Sequence, residues 1–180
     1  NITEDSFSDG GLWLDPANAK AHGEAMMKDG ADIIDIGAES TRPGAKRVSE
    51  EDEQTRVLGA VDALIPEGAV LSIDTTRASV ARMALEHGAQ IINDVSGGRL
   101  DREVPHVVAE HSESLYIVQH WRGWLAGSAG DVPDADTSVY ANGVVDDVYD
   151  ELMKQVDDVL QAGVSPSQII IDPGLGFSKP

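Results

Sequence analysis

The segment GAVLSID, residues 68–74, decides the fold of this 180-residue chain. A glycine and a small residue precede a short apolar run, which stops at Asp74. The same plan recurs as GADIID at residues 30–35 and as GAQIIN at residues 88–93. Because glycine ends a helix and the apolar run suits a buried parallel strand, the repeats predict alternating helices and strands. Near-equal repeats of this kind favour a (β/α)8 TIM barrel over a doubly wound sheet.

Helix and strand signals alternate along the whole chain. The predicted helices and strands are, in pairs, 17–29 and 32–36, 50–65 and 70–74, 77–87 and 90–93, 102–110 and 115–120, and 141–162 and 169–172. Ser49 is typical of a helix N-cap, and Thr76 and Asp101 are expected to cap the two helices that follow them. The absence of an interdomain linker predicts one domain, residues 1–180.

Composition and charge narrow the function classes. A formal net charge of −19 argues against binding to nucleic acid or to an anionic membrane surface. The chain has no cysteine, which excludes a disulfide framework, a zinc–thiolate site and a cysteine nucleophile. No apolar run approaches the roughly 18 residues of a membrane span, and no signal peptide is visible, so a cytoplasmic protein is expected. The sequence also lacks the glycine-rich nucleotide motifs GxGxxG and GxxxxGK[ST].

Polar side chains stand where the predicted strands end. Asp74, Asn93 and Asp172 each follow an apolar run. In a parallel α/β fold the carboxyl ends of all strands point to one face, so these groups are expected to converge there. Carboxylates and an amide suit the polar edge of a heterocycle or a developing cation. Taken singly, Asp74 is also typical of a helix cap, and Asn93 and Asp172 are also typical of turns.

Two further features belong to the same predicted face. ESTRPG, residues 39–44, combines an acid, two hydroxyls and a guanidinium, which can clamp a carboxylate or phosphate. A surface loop with an Arg–Glu pair is the other interpretation. His120 ends a strand, where it is either a base or ligand contact or a buried histidine with its partners satisfied. The chain shows no two-His or carboxylate–His spacing for a tight transition-metal site.

Five segments, in chain order, resemble dihydropteroate synthase. They are NITEDSFSDGG at 1–11, ESTRPG at 39–44, SIDT at 72–75, INDVSG at 92–97 and DPGLGF at 172–177. The resemblance implies a (β/α)8 barrel of the pterin-binding class, of which this chain would cover about strands 2–6. It also implies a transferase of folate biosynthesis, which condenses 4-aminobenzoate with 6-hydroxymethyl-7,8-dihydropterin diphosphate to 7,8-dihydropteroate and diphosphate.

The resemblance assigns roles around the pterin. Asp74, Asn93 and Asp172 would hold the ring. Asp74 and Asp172 would also be catalytic, because buried carboxylates stabilise the positive charge left on the pterin methylene when diphosphate departs. Asn1 would contact Mg²⁺, the expected metal, bound to the diphosphate.

The resemblance also assigns roles at the second substrate. Thr41, Arg42 and Pro43 would belong to a loop that closes over the diphosphate and the aminobenzoate, and Phe177 would line the aminobenzoate site. Sulfonamides compete with aminobenzoate in this family, and its members are commonly homodimers. The implied partners are therefore the two small-molecule substrates and a second subunit.

The chain also departs from the family. Gln119 stands where the family usually has Met before the strand-end histidine, so the polarity of the pterin pocket could differ. The first strand and the last two strand–helix units of the barrel are absent from residues 1–180, so we expect this segment alone to be inactive and poorly folded. Two alternative functions are a non-catalytic pterin-binding paralogue and the pterin domain of a methyltetrahydrofolate-dependent methyltransferase. The latter would lack the STRPG loop.

Overall fold

The computed structural model describes residue 2 and residues 16–39, 48–122, 139–177 and 179. The helices are α1 Pro16–Lys28, α2 Glu50–Leu64, α3 Ala78–Glu86, α4 Glu103–Glu110 and α5 Val144–Gln161. The strands are β1 Ile34–Gly37, β2 Leu71–Asp74, β3 Ile91–Asp94, β4 Leu115–Gln119 and β5 Ile169–Asp172. Two short 3₁₀ helices, Ile65–Glu67 and Pro166–Gln168, lead towards β2 and into β5.

The five strands form one parallel sheet in the order β1-β2-β3-β4-β5. A doubly wound sheet reverses its strand order part-way, whereas a barrel adds every strand on the same side of the last. The sequential order therefore confirms the α/β class and the barrel-type arrangement, here as a five-stranded part of the wall. The backbone N–H of Ile2 donates to the carbonyl of Gly37 (2.9 Å), so Ile2 lies beside the outer edge of β1.

Polar side chains bind the backbone N–H groups at the helix starts, and one of the predicted helix caps is wrong. The Ser49 hydroxyl accepts from the backbone N–H of Asp52 (3.1 Å), so the predicted cap of α2 is confirmed. The prediction that Thr76 caps α3 is wrong, because α3 begins at Ala78. The N–H of Ala78 instead donates to a carboxylate oxygen of Asp101 (2.8 Å). The other oxygen of Asp101 accepts from the N–H of Glu103 (3.0 Å), so this side chain serves the starts of two helices.

The core lies between the sheet and the helices. Side chains of a strand alternate between its two faces, and those facing the helices are apolar and buried, such as Ile34, Ile73 and Val118. They pack with buried helix residues such as Val57 and Val108. The opposite face, the inner face of a barrel, carries the polar positions. No helix among the described residues is long and apolar enough to cross a bilayer.

Candidate functional site

The strand register brings the predicted polar residues to one face. Asp74 pairs with Asn93 across β2 and β3, and Gln119 pairs with Asp172 across β4 and β5. Asn93 pairs with Ile117, two residues before Gln119 and therefore on the same face of β4. Asp74, Asn93, Gln119 and Asp172 thus line the inner face at the carboxyl ends of four neighbouring strands. The predicted convergence of Asp74, Asn93 and Asp172 is observed.

Asp74 lies on this face with no hydrogen-bond donor for its carboxylate among the described residues. Its carboxylate accepts no hydrogen bond from any residue in the described ranges, and α3 begins beyond it, so the helix-cap interpretation of Asp74 is not supported. Burial, together with the negative charges of Asp35, Asp94 and Glu39, raises the pKa of Asp74 to about 7. A hydrogen-bond donor or a positive charge placed here would therefore be bound strongly by its ionised form.

One carboxylate oxygen of Asp172 stabilises a turn, and the other is available to a ligand. Its Oδ1 accepts from the N–H of Gly174 (2.7 Å), which is the contact that an aspartate typically makes in a turn. Its backbone carbonyl accepts from the N–H of His120 (2.8 Å), which ties the ends of β4 and β5 together. A side chain at residue 174 would place its Cβ 2.7 Å from the carbonyl oxygen of His120, and Gly174 has φ +66°. Glycine is therefore required where this loop passes the end of β4.

Asp94 points the other way, towards the helices, and its carboxylate is fully satisfied. It accepts from the N–H and hydroxyl of Ser96 (2.8 and 2.7 Å), the N–H of Gly98 (2.8 Å) and the hydroxyl of Tyr116 (2.8 Å). Burial raises the pKa of Asp94, while these hydrogen bonds act against that shift. The loop after β3 is thereby held against β4, which fixes the neighbouring Asn93 at the inner face.

A second buried acid, Glu53 of α2, lies on the helix side of the sheet and contacts the residues that follow β2. Its side chain is 1 % exposed. It accepts a hydrogen bond from the Thr75 hydroxyl (2.6 Å) and forms an ion pair with the Arg77 guanidinium. Since Thr75 directly follows Asp74, this contact fixes the backbone at the end of β2.

The same guanidinium contacts both ends of the loop between β1 and α2, which contains ESTRPG. Arg77 Nη2 lies 3.3 Å from Glu39 Oε1 and 2.9 Å from the carbonyl oxygen of Val48. Glu39 in turn accepts from the N–H of Val48 (3.1 Å). The loop therefore leaves and rejoins the described structure at one ion cluster. Residues 40–47, including the predicted contacts Thr41, Arg42 and Pro43, lie outside the described residues.

Sequence reasoning missed Glu53 and Arg77. It assigned the acids after Ser49 to the first turn of α2, which is correct for Glu50 to Asp52. The missed signal is helical spacing, because Glu53 shares a face with the buried residues Val57, Ala60 and Leu64 of α2. A charged residue on a buried helix face requires a partner, and the nearest candidates follow the next strand.

His120 is a buried supporting residue. Its Nε2 lies 3.0 Å from a carboxylate oxygen of Glu151, and its Nδ1 lies 3.0 Å from Nζ of Lys179. A protonated lysine can only donate, so Nδ1 accepts and the ring is neutral with its proton on Nε2. Burial lowers the pKa of His120, which favours the same neutral form. Glu151 is also held by Arg122 at 2.9 and 2.6 Å, so this network joins β4, α5 and the loop after β5.

A family model for "pterin binding enzyme" matches residues 1–180. The chain belongs to this family of pterin-binding enzymes. A dihydropteroate synthase of Mycobacterium leprae is 47 % identical over 179 residues, which is 99 % of this chain and 61 % of that protein. The chain thus spans about three fifths of the length of this curated relative.

Solved structures of dihydropteroate synthases share the fold. One, from Xanthomonas albilineans with 4-aminobenzoic acid, has a TM-score of 0.83 and 35 % identity, covering 100 % of this chain and 61 % of its own. Another, from Anaplasma phagocytophilum with bound 6-hydroxymethylpterin-monophosphate, has a TM-score of 0.82 and 34 % identity, covering 100 % of this chain and 67 % of its own. The predicted family resemblance is confirmed.

Two further residues, Phe177 and Asn1, are predicted to contact aminobenzoate and Mg²⁺. Phe177 lies in the turn after β5, partly exposed, with its N–H donating to the carbonyl of Gly174 (3.1 Å). Asn1, the predicted Mg²⁺ contact, lies outside the described residues. Within the described ranges no group of three or more His, Asp or Glu side chains is arranged to hold a metal ion.

Proposed function

We propose that residues 1–180 form the pterin-binding part of a dihydropteroate synthase. The whole protein would condense 4-aminobenzoate with 6-hydroxymethyl-7,8-dihydropterin diphosphate, giving 7,8-dihydropteroate and diphosphate in folate biosynthesis. The observation that carries the proposal is the placement of Asp74, Asn93 and Asp172 on one face at the carboxyl ends of β2, β3 and β5. The Asp74 carboxylate is left without a donor from the described residues. The named relatives support the same activity.

The polar face fits the ring of a pterin. A pterin presents an aminopyrimidinone edge with several N–H donors and with ring-nitrogen and carbonyl acceptors. Asp74 and Asp172 would accept from N–H groups, and the amide of Asn93 would both donate and accept. Because Asp74 has a pKa of about 7 in the free protein, ring donors would favour its ionised form and bring its pKa down.

The proposed reaction is a substitution at the pterin methylene. The C–O bond to diphosphate breaks, and its electron pair leaves with the diphosphate. The positive charge on the methylene is stabilised by the carboxylates of Asp74 and Asp172, which face the ring across the inner surface. The aminobenzoate nitrogen then forms the new C–N bond and loses one proton. No covalent bond to the protein is needed in this sequence.

The remaining predicted contacts belong to this proposal. Thr41, Arg42 and Pro43 would contact the diphosphate and the aminobenzoate, and the ion cluster at Arg77 would hold the ends of their loop. Phe177 would line the aminobenzoate site. Mg²⁺ would accompany the diphosphate with Asn1 as its protein contact, as the resemblance implies. The whole protein is proposed to be a cytoplasmic homodimer that sulfonamides inhibit by competing with aminobenzoate.

The test is incorporation of labelled 4-aminobenzoate into dihydropteroate by the full-length protein. A synthase consumes aminobenzoate and the pterin diphosphate together, in equal amounts. A non-catalytic paralogue would bind the pterin without consuming aminobenzoate, and a methyltransferase domain would bind methyltetrahydrofolate instead. Asp74→Ala should abolish both pterin binding and turnover. Near-normal pterin affinity in this variant would remove Asp74 from the site.

A further inference from the structure

We propose that Gln119 determines which pteridine the site accepts, by donating a hydrogen bond from its side-chain amide to the ring carbonyl beside the N–H that Asp172 accepts. The inference rests on the proposed pterin site and adds a specificity residue to it. It follows from three features of Gln119, which are its register, its burial and the lack of an acceptor for its Nε2 among the described residues.

The register places Gln119 next to Asp172. The two residues are direct partners across β4 and β5, on the inner face. The amide itself lies at the loop after β5, because its Nε2 is 3.3 Å from the position that a Cβ on Gly174 would take. The N–H of Gly174 also bonds the carboxylate of Asp172 (2.7 Å). The amide of Gln119 and the carboxylate of Asp172 therefore flank the same glycine.

The nitrogen of the Gln119 amide is buried and has no acceptor among the described residues. Gln119 is 6 % exposed, and its Nε2 is a buried donor that meets no acceptor among the described residues. Gln168, at the opposite end of the sheet and 4 % exposed, shows what a structural glutamine does. Its Nε2 donates to the carbonyls of Val108, His111 and Ser114 at 3.0–3.2 Å. A buried donor without such partners is costly, so a ligand acceptor that meets it is bound with a gain.

An acceptor beside a donor is the complement of a lactam edge. Asp172, when ionised, can only accept, whereas the Gln119 amide supplies a donor next to it. Together they match a ring N–H adjacent to a carbonyl, as in the pyrimidinone ring of a pterin. A 2,4-diaminopteridine carries an amino group in place of that carbonyl and would set one donor against another. The pair should therefore favour 4-oxo over 4-amino pteridines.

The test compares two ligands on the full-length protein by isothermal titration calorimetry. The ligands are 6-hydroxymethylpterin and its 4-amino analogue. The wild type should prefer the 4-oxo ligand, and Gln119→Met should weaken its binding roughly 3- to 10-fold, the worth of one neutral hydrogen bond. Binding of the 4-amino analogue should not weaken, so the preference falls. Gln119→Glu, which keeps the length and replaces the donor with acceptors, should move the preference further towards the 4-amino ligand.

The control is Gln161→Met, the same change at an exposed position of α5, which should leave both affinities unaltered. The melting temperature of the free protein gives a second readout. Gln119→Met should not lower it, because the variant removes a buried donor that has no partner. A lowered melting temperature with an unchanged ligand preference would show that the amide serves the fold, and would overturn the inference. If the wild type binds neither ligand, the proposed function is overturned as well. If the wild type binds, and both Gln119 variants keep the same preference for the 4-oxo ligand, only the role of Gln119 is overturned.

Discussion

Asp74 and Asp94 are the last residues of successive strands, yet they have opposite surroundings. Asp94 accepts four hydrogen bonds from Ser96, Gly98 and Tyr116. Asp74 accepts none from the described residues, and its pKa rises to about 7. The cause is strand parity, because Asn93 and not Asp94 is the register partner of Asp74. Asp94 consequently faces the helices and Asp74 faces the interior.

This difference separates polar groups that are bonded within the protein from polar groups that are proposed to bind a ligand. On the helix side of the sheet, Asp94 of β3 and Glu53 of α2 are bonded by their own chain. Polar groups that face the interior, Asp74 and the amide of Gln119, are left without protein donors or acceptors among the described residues. Changing the first group should reduce stability, and changing the second should reduce ligand binding.

The largest expected effect is at Asp94. Asp94→Ala removes the acceptor of four buried donors, so we expect the free energy of unfolding to fall by about 4 kcal/mol. Urea denaturation of the full-length variant measures the change. Asp74→Ala is the matched control, since it removes the same group from the last position of a strand but leaves no buried donor unpaired. Equal losses in the two variants would contradict the comparison.

The next effect is at the ion cluster. Arg77→Ala leaves the buried carboxylate of Glu53 without its cation, and we expect a loss of about 3 kcal/mol in the free energy of unfolding. Aminobenzoate KM should also rise, because the ends of loop 40–47 lose their common contact. Arg82→Ala, which breaks the exposed pair Arg82–Glu110, is the control and should leave both quantities unchanged. A stable Arg77→Ala protein would show that Glu53 is neutralised in another way.

A smaller effect, of opposite sign, is expected at Asp74. Asp74→Asn removes an acid that is costly to ionise in the free protein. A pKa of about 7 against about 4 corresponds to roughly 4 kcal/mol at pH 8, and burying an amide without a partner offsets about half of this, so the variant should be more stable than the wild type by about 2 kcal/mol. Pterin affinity should fall at least 100-fold, because the amide cannot supply the carboxylate charge. Thermal unfolding and calorimetry on the same samples measure both. A variant that loses stability would place Asp74 with Asp94, among the groups that build the fold.

The last effect is the pH dependence of the wild type, which is the smallest per step, at about 1.4 kcal/mol per pH unit. The folded pKa of Asp74, about 7, exceeds the usual value for an unfolded aspartate, so the native state holds a proton that the unfolded state has lost between about pH 4 and pH 7. The contribution of Asp74 to stability therefore decreases as the pH rises through this window and is constant above it. Pterin binding requires the ionised form, so affinity should increase about tenfold per pH unit up to about pH 7 and then level off. Asp74→Asn should abolish both dependences, and a pterin affinity that is flat from pH 5 to 8 would contradict the assignment.

The sequence by itself determined the repeating units and the residues at their ends. Strand β5 lies at Ile169–Asp172 as predicted, and the cap at Ser49 was predicted from its acidic turn. These features depend on neighbours a few residues apart, so local patterns contain them. The family motifs also lie in continuous segments, so the resemblance is visible in the order of the residues alone.

Only the tertiary structure decided which of those end residues belong to the fold and which face the interior. Tyr116 reaches Asp94 across 22 positions, and Arg77 reaches Glu53 across 24. The first pairing depends on the register of β3 and β4, and the second on how α2 packs on the sheet, neither of which local periodicity specifies. The sequence marked Gln119 as unusual, but its proposed role rests on the register beside Asp172 and on the burial of its amide nitrogen. Because a shift of one residue in strand register moves a side chain to the other face, that role could not be assigned from the sequence alone.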